Sequence, residues 1–140
     1  MIQIVTKYLK LKTKGCGDLV DITSDIRNIL SNLGFKAGLV NVFVVGSTAA
    51  ITSFEYEPGL VKDMRNIYEK IAPRDNKYCH DETWNDANGF SHVRAALQGA
   101  ALTIPFEDAC LLLGTWQQVV LAEFDTRARD RKVVLTFIAE

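Results

Sequence analysis

With 140 residues, 48% of them hydrophobic and 24% charged, the chain has the make-up of one folded domain (residues 1–140) and not of a disordered segment. A net charge of −1 excludes the positive excess that non-specific nucleic-acid binding requires, so no nucleic-acid partner is expected. No apolar run approaches ~18 residues, which excludes a membrane-spanning helix, and the three cysteines form no CxxC pair.

Lysines break up the apolar residues of the first fifteen positions, so they do not read as a signal peptide; a cytoplasmic protein with free thiols is expected. Residues 2–12, IQIVTKYLKLK, interleave β-branched and polar side chains and suit a strand exposed on one face. Residues 21–34 carry helix grammar. Ile22, Ile26, Ile29, Leu30 and Leu33 fall at helical spacing, Asp21 or Thr23 can cap, and Gly34 stands where a C-cap belongs. The valine-rich run at 39–45 reads as a strand buried on both faces, and ITSFEY as a second strand ending at Pro58-Gly59. A second amphipathic helix places Leu60, Met64, Ile67, Tyr68 and Ile71 on one face and stops at Pro73.

Residues 73–88 lack periodicity, and an irregular stretch of that length tends to be functional. A third helix is expected from about Gly89 to Ala101, followed by a β-meander to the end, with the last strand buried on both sides. The fold expected is α+β: packed, mainly antiparallel sheets, sandwich-like, with about three helices. These strands are more apolar than one solvated sheet requires, which calls for two packed sheets or a sheet face covered by another subunit.

The chain's two histidines, His80 and His92, both lie in YCHDETWNDANGFSH. Two imidazoles, a carboxylate and an open position are a common arrangement for zinc or another divalent ion, and Asp81, Glu82, Asp86 and Glu55 are the candidate carboxylates. The bland alternative is one surface histidine and one structural one. Asn88 can cap the helix that follows or orient a substrate or a histidine. The turn Gly46-Ser47-Thr48-Ala49-Ala50 offers donors to a phosphate or is merely a tight strand connection; it is not a P-loop. In LGTWQQ, Gly114, Thr115, Trp116 and Gln117 mark either a pocket wall or a bulge with a core tryptophan. Arg127, Arg129, Arg131 and Lys132 form a solvated hairpin tip or, if they face the pocket, a phosphate clamp.

Several segments in this order resemble the YjbQ-like family of small proteins, in part described as secondary thiamine-phosphate synthases. They are DIT (21–23), GLVNVFVVGSTAAI (38–51), Glu55, Tyr78 with His80, Asn88 with His92, VRAALQGAALTIP (93–105) and LLLGTWQQVVLAEFD (111–125). The resemblance implies a compact α+β domain that assembles as a homotrimer and a metal pocket at His80 and His92. It also implies weak condensation of hydroxymethylpyrimidine diphosphate with thiazole phosphate, releasing pyrophosphate. Two positions depart from the family pattern: Gly46 and Ser47 begin the turn that is often His-Thr-Thr-Ala, and Phe90 stands where a further histidine is common.

The function expected is therefore a metal-assisted transferase acting on a small phosphorylated molecule, with zinc or magnesium near His80 and His92. Glu55 or Asp86 would add ligation, Asn88, Thr115, Trp116 and Gln117 would contact substrate, and Ser47 or Thr48 would donate to phosphate. The alternatives are a non-catalytic trimeric protein that binds a metal or anion, and a metal-dependent hydrolase.

Overall fold

Alternating apolar and polar side chains build the long β-strands that frame this molecule. The computed structural model describes residues 1–140, with the elements β1 (Gln3–Lys12), β2 (Leu19–Asp21), α1 (Thr23–Leu33), β3 (Ala37–Val45), β4 (Ala49–Glu55) and α2 (Pro58–Ile71). Next come α3 (Cys79–Trp84), α4 (Gly89–Gln98), β5 (Ala101–Glu107), β6 (Cys110–Leu111), β7 (Gln117–Glu123) and β8 (Asp130–Ala139). A five-stranded sheet has the order β1-β8-β3-β5-β6 and a three-stranded sheet the order β2-β7-β4, with every pairing antiparallel. The α+β class and the two packed sheets agree with the sequence reading.

The small sheet is the middle of three layers. Val40, Val42 and Val44 of β3 and Val133, Leu135 and Phe137 of β8 meet Ile51, Val119 and Leu121 of the small sheet, with Ile26 and Leu30 of α1 completing this core. On the small sheet's other face, Ala50, Val120 and Ala122 pack against Tyr68 of α2 and Ala95 of α4. The strands buried on both faces are therefore β7, whose residues Val119–Glu123 are all buried, and the first half of β4, Ala49–Thr52. The expectation that 39–45 and the last strand are covered on both sides does not hold for this chain. Leu39, Phe43, Val45 and Ile138 all face outward and are exposed.

Four further differences are local. Residues 73–88 are not wholly irregular, because α3 interrupts them and makes four helices in place of three. Pro58 does more than end a strand: it opens α2, where its missing N–H costs nothing, and Glu57 caps the helix by accepting from the N–H groups of Gly59 and Leu60. The helix expected from about Gly89 to Ala101 is α4, which ends at Gln98, and β5 has begun by Ala101. The C-terminal third is not a meander. β5 and β6 form a hairpin through Asp108 and Ala109, both at positive φ (50° and 58°), whereas β7 crosses to the small sheet and β8 inserts between β1 and β3. In α1 the N-cap position falls to Ile22, which makes no side-chain cap bond, and the two expected caps act from beside it. Asp21 Oδ1 accepts from the Thr23 N–H at 3.0 Å, while Thr23 Oγ1 accepts from the Val119 N–H at 2.8 Å and ties the helix to β7.

A buried ion pair joins the sheets at one end. Arg131 of β8 donates from Nε to Glu123 Oε2 at 2.7 Å and from Nη2 to Glu123 Oε1, and both residues are at most 4% exposed. Thr13 donates to Glu123 Oε2 at 2.7 Å, and Thr48 Oγ1 accepts from Arg131 Nη2 at 2.7 Å and donates to Asp125 Oδ2 at 3.1 Å. Burial works against ionisation of Asp125. The Thr126 N–H, the Thr48 hydroxyl, Arg129 and Arg131 together outweigh it and hold this carboxyl below its usual range.

Removing one partner strands the other charge in the core. Glu123→Ala is expected to lower unfolding free energy by about 3–5 kcal/mol in urea titrations. Asp125 has its pKa lowered by folding, so its contribution is complete above the unfolded carboxyl pKa of about 3.9 and is lost as pH falls through the folded value. Asp125→Asn should therefore flatten the acid limb of the stability profile below about pH 4, measured by denaturation at a series of pH values.

Candidate functional site

The two histidines are brought together by a helix–turn–helix. His80 lies in the first turn of α3 and His92 in the first turn of α4, and their ring centroids are 4.3 Å apart. The turn closes through Asn85 and Ala87, both at positive φ (54° and 53°). Asp81 Oδ1 accepts from the Gly89 N–H at 2.8 Å, which caps α4 from the preceding helix. Gly89 is where the helices meet most closely, since a Cβ there would stand 2.4 Å from Tyr78 Cβ.

Around His80, Asn88 lies 3.0 Å from Nε2, and Asp86 Oδ1 lies 3.5 Å from the same atom. The Asn88 carboxamide is assigned with its nitrogen inward, because the opposite orientation would set its oxygen against both Asp86 carboxylate oxygens. So placed, it donates to Asp86 Oδ1 at 2.9 Å, to Asp86 Oδ2 at 3.1 Å and to His80 Nε2 at 3.0 Å. In this network His80 Nε2 accepts, so a neutral His80 carries its proton on Nδ1. Asn88 thus orients a histidine and its side chain does not cap α4.

His92 lines a cavity of about 370 Å³ together with Gly46, Ser47, Ala49, Ala95 and Gly99. Small residues on the α4 face and in the turn before β4 leave this volume open. Of the residues singled out in the sequence, His80, Asp86, Asn88, His92 and Ser47 gather at this end of the molecule. The others lie elsewhere. Glu55 pairs with Gln117 at the far end of the small sheet, six residues and so about 20 Å along β4 from Ala49. Gln117 spends its carboxamide locally, accepting from the Gly114 N–H at 3.0 Å and donating to Ser53 Oγ at 3.1 Å. Thr115 is exposed in the same turn, and Trp116, at 69% exposure, is neither a core tryptophan nor a wall of the cavity. Thr48 is buried, with its hydroxyl committed to Asp125 and Arg131. Phe90 is buried under the guanidiniums of Arg94 and Arg74, 4.8 and 5.6 Å from its ring centre.

The donor set does not fit a three-ligand metal centre. No three His, Cys, Asp or Glu side chains form a group that could hold an ion: Asp86 approaches only His80, at 3.5 Å from Nε2, and Glu55, the carboxylate on the neighbouring sheet, is remote. What converges is a pair of imidazoles with a carboxylate and a carboxamide beside a small cavity, an arrangement suited to proton transfer. Glu123 was not singled out in the sequence, and Arg131 stood there only as one of four cations at a hairpin tip, with no inward partner expected. Their signal was available: each occupies a strand position whose neighbours two residues away, Leu121 and Val133, are core.

Two packed antiparallel sheets backed by helices make this a small single-domain α+β protein. The match to the family described as UPF0047 protein YjbQ-like extends over residues 7–140, and the chain belongs to that family. A UPF0047 protein of Methanothermobacter thermautotrophicus is 36% identical over 132 residues, covering 94% of this chain and 90% of that one. YugU of Bacillus subtilis, also a UPF0047 protein, is 29% identical over 85% of this chain and 89% of its own length. Among solved structures, a YbjQ-like protein of unknown function from Sulfolobus solfataricus P2 superposes with a TM-score of 0.93 at 28% identity, over the full length of both chains.

The capping roles can be separated by mutation. Asp81→Ala should cost about 1 kcal/mol of stability by freeing the Gly89 N–H, whereas Asn88→Ala should change stability by less than about 0.5 kcal/mol. Chemical denaturation of the two variants checks the contrast.

Proposed function

We propose that this protein is an enzyme that binds a small phosphorylated molecule in the cavity beside His92 and uses the histidine pair for acid–base work on it. The observation that carries this reading is that His92 lines a cavity of ligand size while its ring stands 4.3 Å from that of His80. Asn88 and Asp86 orient the second imidazole, as a proton-relaying histidine needs. A leaving phosphoryl oxygen beside His92 would take its proton, and His80 would restore it. The reaction suggested by the family resemblance is joining of hydroxymethylpyrimidine diphosphate to thiazole phosphate with release of pyrophosphate. His92→Ala and His80→Ala are then expected to lower thiamine-phosphate formation by about 100-fold or more, measured with purified protein and both precursors. Absence of product with the native protein, with or without magnesium or zinc, would discard this reaction and leave a binding protein.

A second reading, a divalent ion held by His80 and His92, is favoured by the closeness of the rings and opposed by the lack of a carboxylate placed to ligate beside both of them. Metal analysis of protein purified without chelators, beside His80→Ala, decides it: stoichiometric metal lost in the variant would establish the ion.

The proposal includes assembly. Ile4, Tyr8, Leu39, Phe43, Val45 and Ile138 are exposed on the outer face of the five-stranded sheet, where register aligns Ile4 with Ile138 and Ile138 with Leu39. An apolar face of this extent suits burial against further copies of the chain. A homotrimer predicts a solution mass three times the 15.6 kDa chain by light scattering, and Phe43→Asp should reduce it toward one chain. No helix is long and apolar enough to cross a membrane.

A further inference from the structure

The turn between β3 and β4 has donors that the histidines do not explain. The backbone N–H groups of Gly46, Ser47 and Thr48 donate no hydrogen bond within the protein. The Val44 N–H before them is taken by the Ala100 carbonyl at 3.0 Å, and the Ile51 N–H after them by the Gly99 carbonyl at 3.1 Å. Three successive free N–H groups are the raw material of an anion-binding turn.

Arg131 reaches the same turn from β8. Glu123 and Thr48 occupy its Nε and Nη2, and Nη1 makes no hydrogen bond to the protein. The residue is only 4% exposed, yet no fully buried side-chain nitrogen lacks a partner, so Nη1 is the atom through which this guanidinium meets solvent. It abuts Gly46, where a Cβ would stand 2.7 Å from it. Gly46 and Ser47 are walls of the cavity that His92 lines, whereas Arg131 lines the 520 Å³ cavity on β1 and β8 and comes up to the His92 cavity at Gly46.

We propose that Arg131 Nη1 and the backbone N–H groups of Gly46, Ser47 and Thr48 form a cradle for a phosphoryl group at the mouth of the His92 cavity. It rests on the reading of that cavity as a ligand site and names the group that is held there. Glu123 balances most of the Arg131 charge, so recognition depends on directed donors more than on net charge. Donors arriving from a guanidinium on one strand and a turn on another match a tetrahedral oxyanion better than a planar carboxylate. Glycine at 46 is required twice over: a side chain would collide with Nη1, and its φ of +140° is one that L-residues rarely adopt. Thr48 serves through its backbone, since its hydroxyl is already spent holding Arg131 in place. A phosphoryl group held at this turn stands at the wall of the cavity that His92 also lines.

The test is a titration of the isotopically labelled native protein with inorganic phosphate at constant ionic strength, read by amide resonances. Saturable shifts are expected at Gly46, Ser47 and Thr48, with acetate needing about tenfold more to produce them and chloride producing none. Gly46→Ala should weaken phosphate binding about tenfold while leaving the strand resonances in place. If that variant does not fold, the native titration decides alone. The proposal is overturned if the three amides do not saturate, if acetate binds as well as phosphate, or if shifts are confined to Lys10, Lys12 and Lys132, which line a 520 Å³ cavity on β1 and β8 together with Arg131. Phosphate bound at the turn without thiamine-phosphate formation keeps the cradle and removes the acid–base reading. Turnover with the three amides unmoved does the reverse.

Discussion

The buried pair of Glu123 and Arg131 is the constraint on which the arrangement of this molecule turns. Its members belong to different sheets, and the groups that complete its hydrogen bonding, Thr13, Thr48 and the Asp125 N–H, come from three further points of the chain. An ion pair with no water to compensate it tolerates little displacement, because every lost bond leaves a desolvated charge. The ends of β1, β7 and β8 and the start of β4 are therefore held in one geometry. Pairing of charges at this depth contributes little net stability over apolar packing, but it defines which way the sheets meet.

That geometry positions the site. Thr48 belongs both to the ion-pair network and to the turn that walls the cavity, so the end of the sandwich and the cavity share a boundary. On the far side of the small sheet, Ser91 donates to the Phe124 carbonyl next to Glu123, fixing the first turn of α4 and with it His92. α3 is held in turn by α4, through the Asp81 cap and the close contact at Gly89. A histidine pair on two short helices would otherwise be poorly ordered; here each helix is anchored to something that is anchored to the core.

The layered arrangement also accounts for the surplus of apolar strand residues. Part of it is absorbed by β7, covered on one side by the large sheet and on the other by α2 and α4. The remainder lies on the outer face of the five-stranded sheet, where no further layer of the chain covers Leu39, Phe43 and Ile138. Hydropathy alone cannot apportion apolar residues between an inner layer and an outer face, since both read as valine- and leucine-rich strands.

What the sequence by itself determined was local and periodic. The strands at 2–12 and 39–45, the helix from Asp21 to its left-handed stop at Gly34, and the α+β class follow from alternation and capping chemistry carried within a few residues. The gathering of His80, Asp86, Asn88 and His92 was also legible, because they lie within one short segment that has only to fold back on itself. Only the tertiary structure decided which strands pair, and with that the rest of the site. β7 could not be told from a meander strand, and Glu55 and Gln117, grouped with the histidines by type, were carried to the opposite end of β4. Arg131 was one cation among four near the last turn, and its inward aim depends on Glu123 across the sandwich. Strand pairing and charge pairing over such separations are set by the packing of whole layers, and no window of local sequence contains that information.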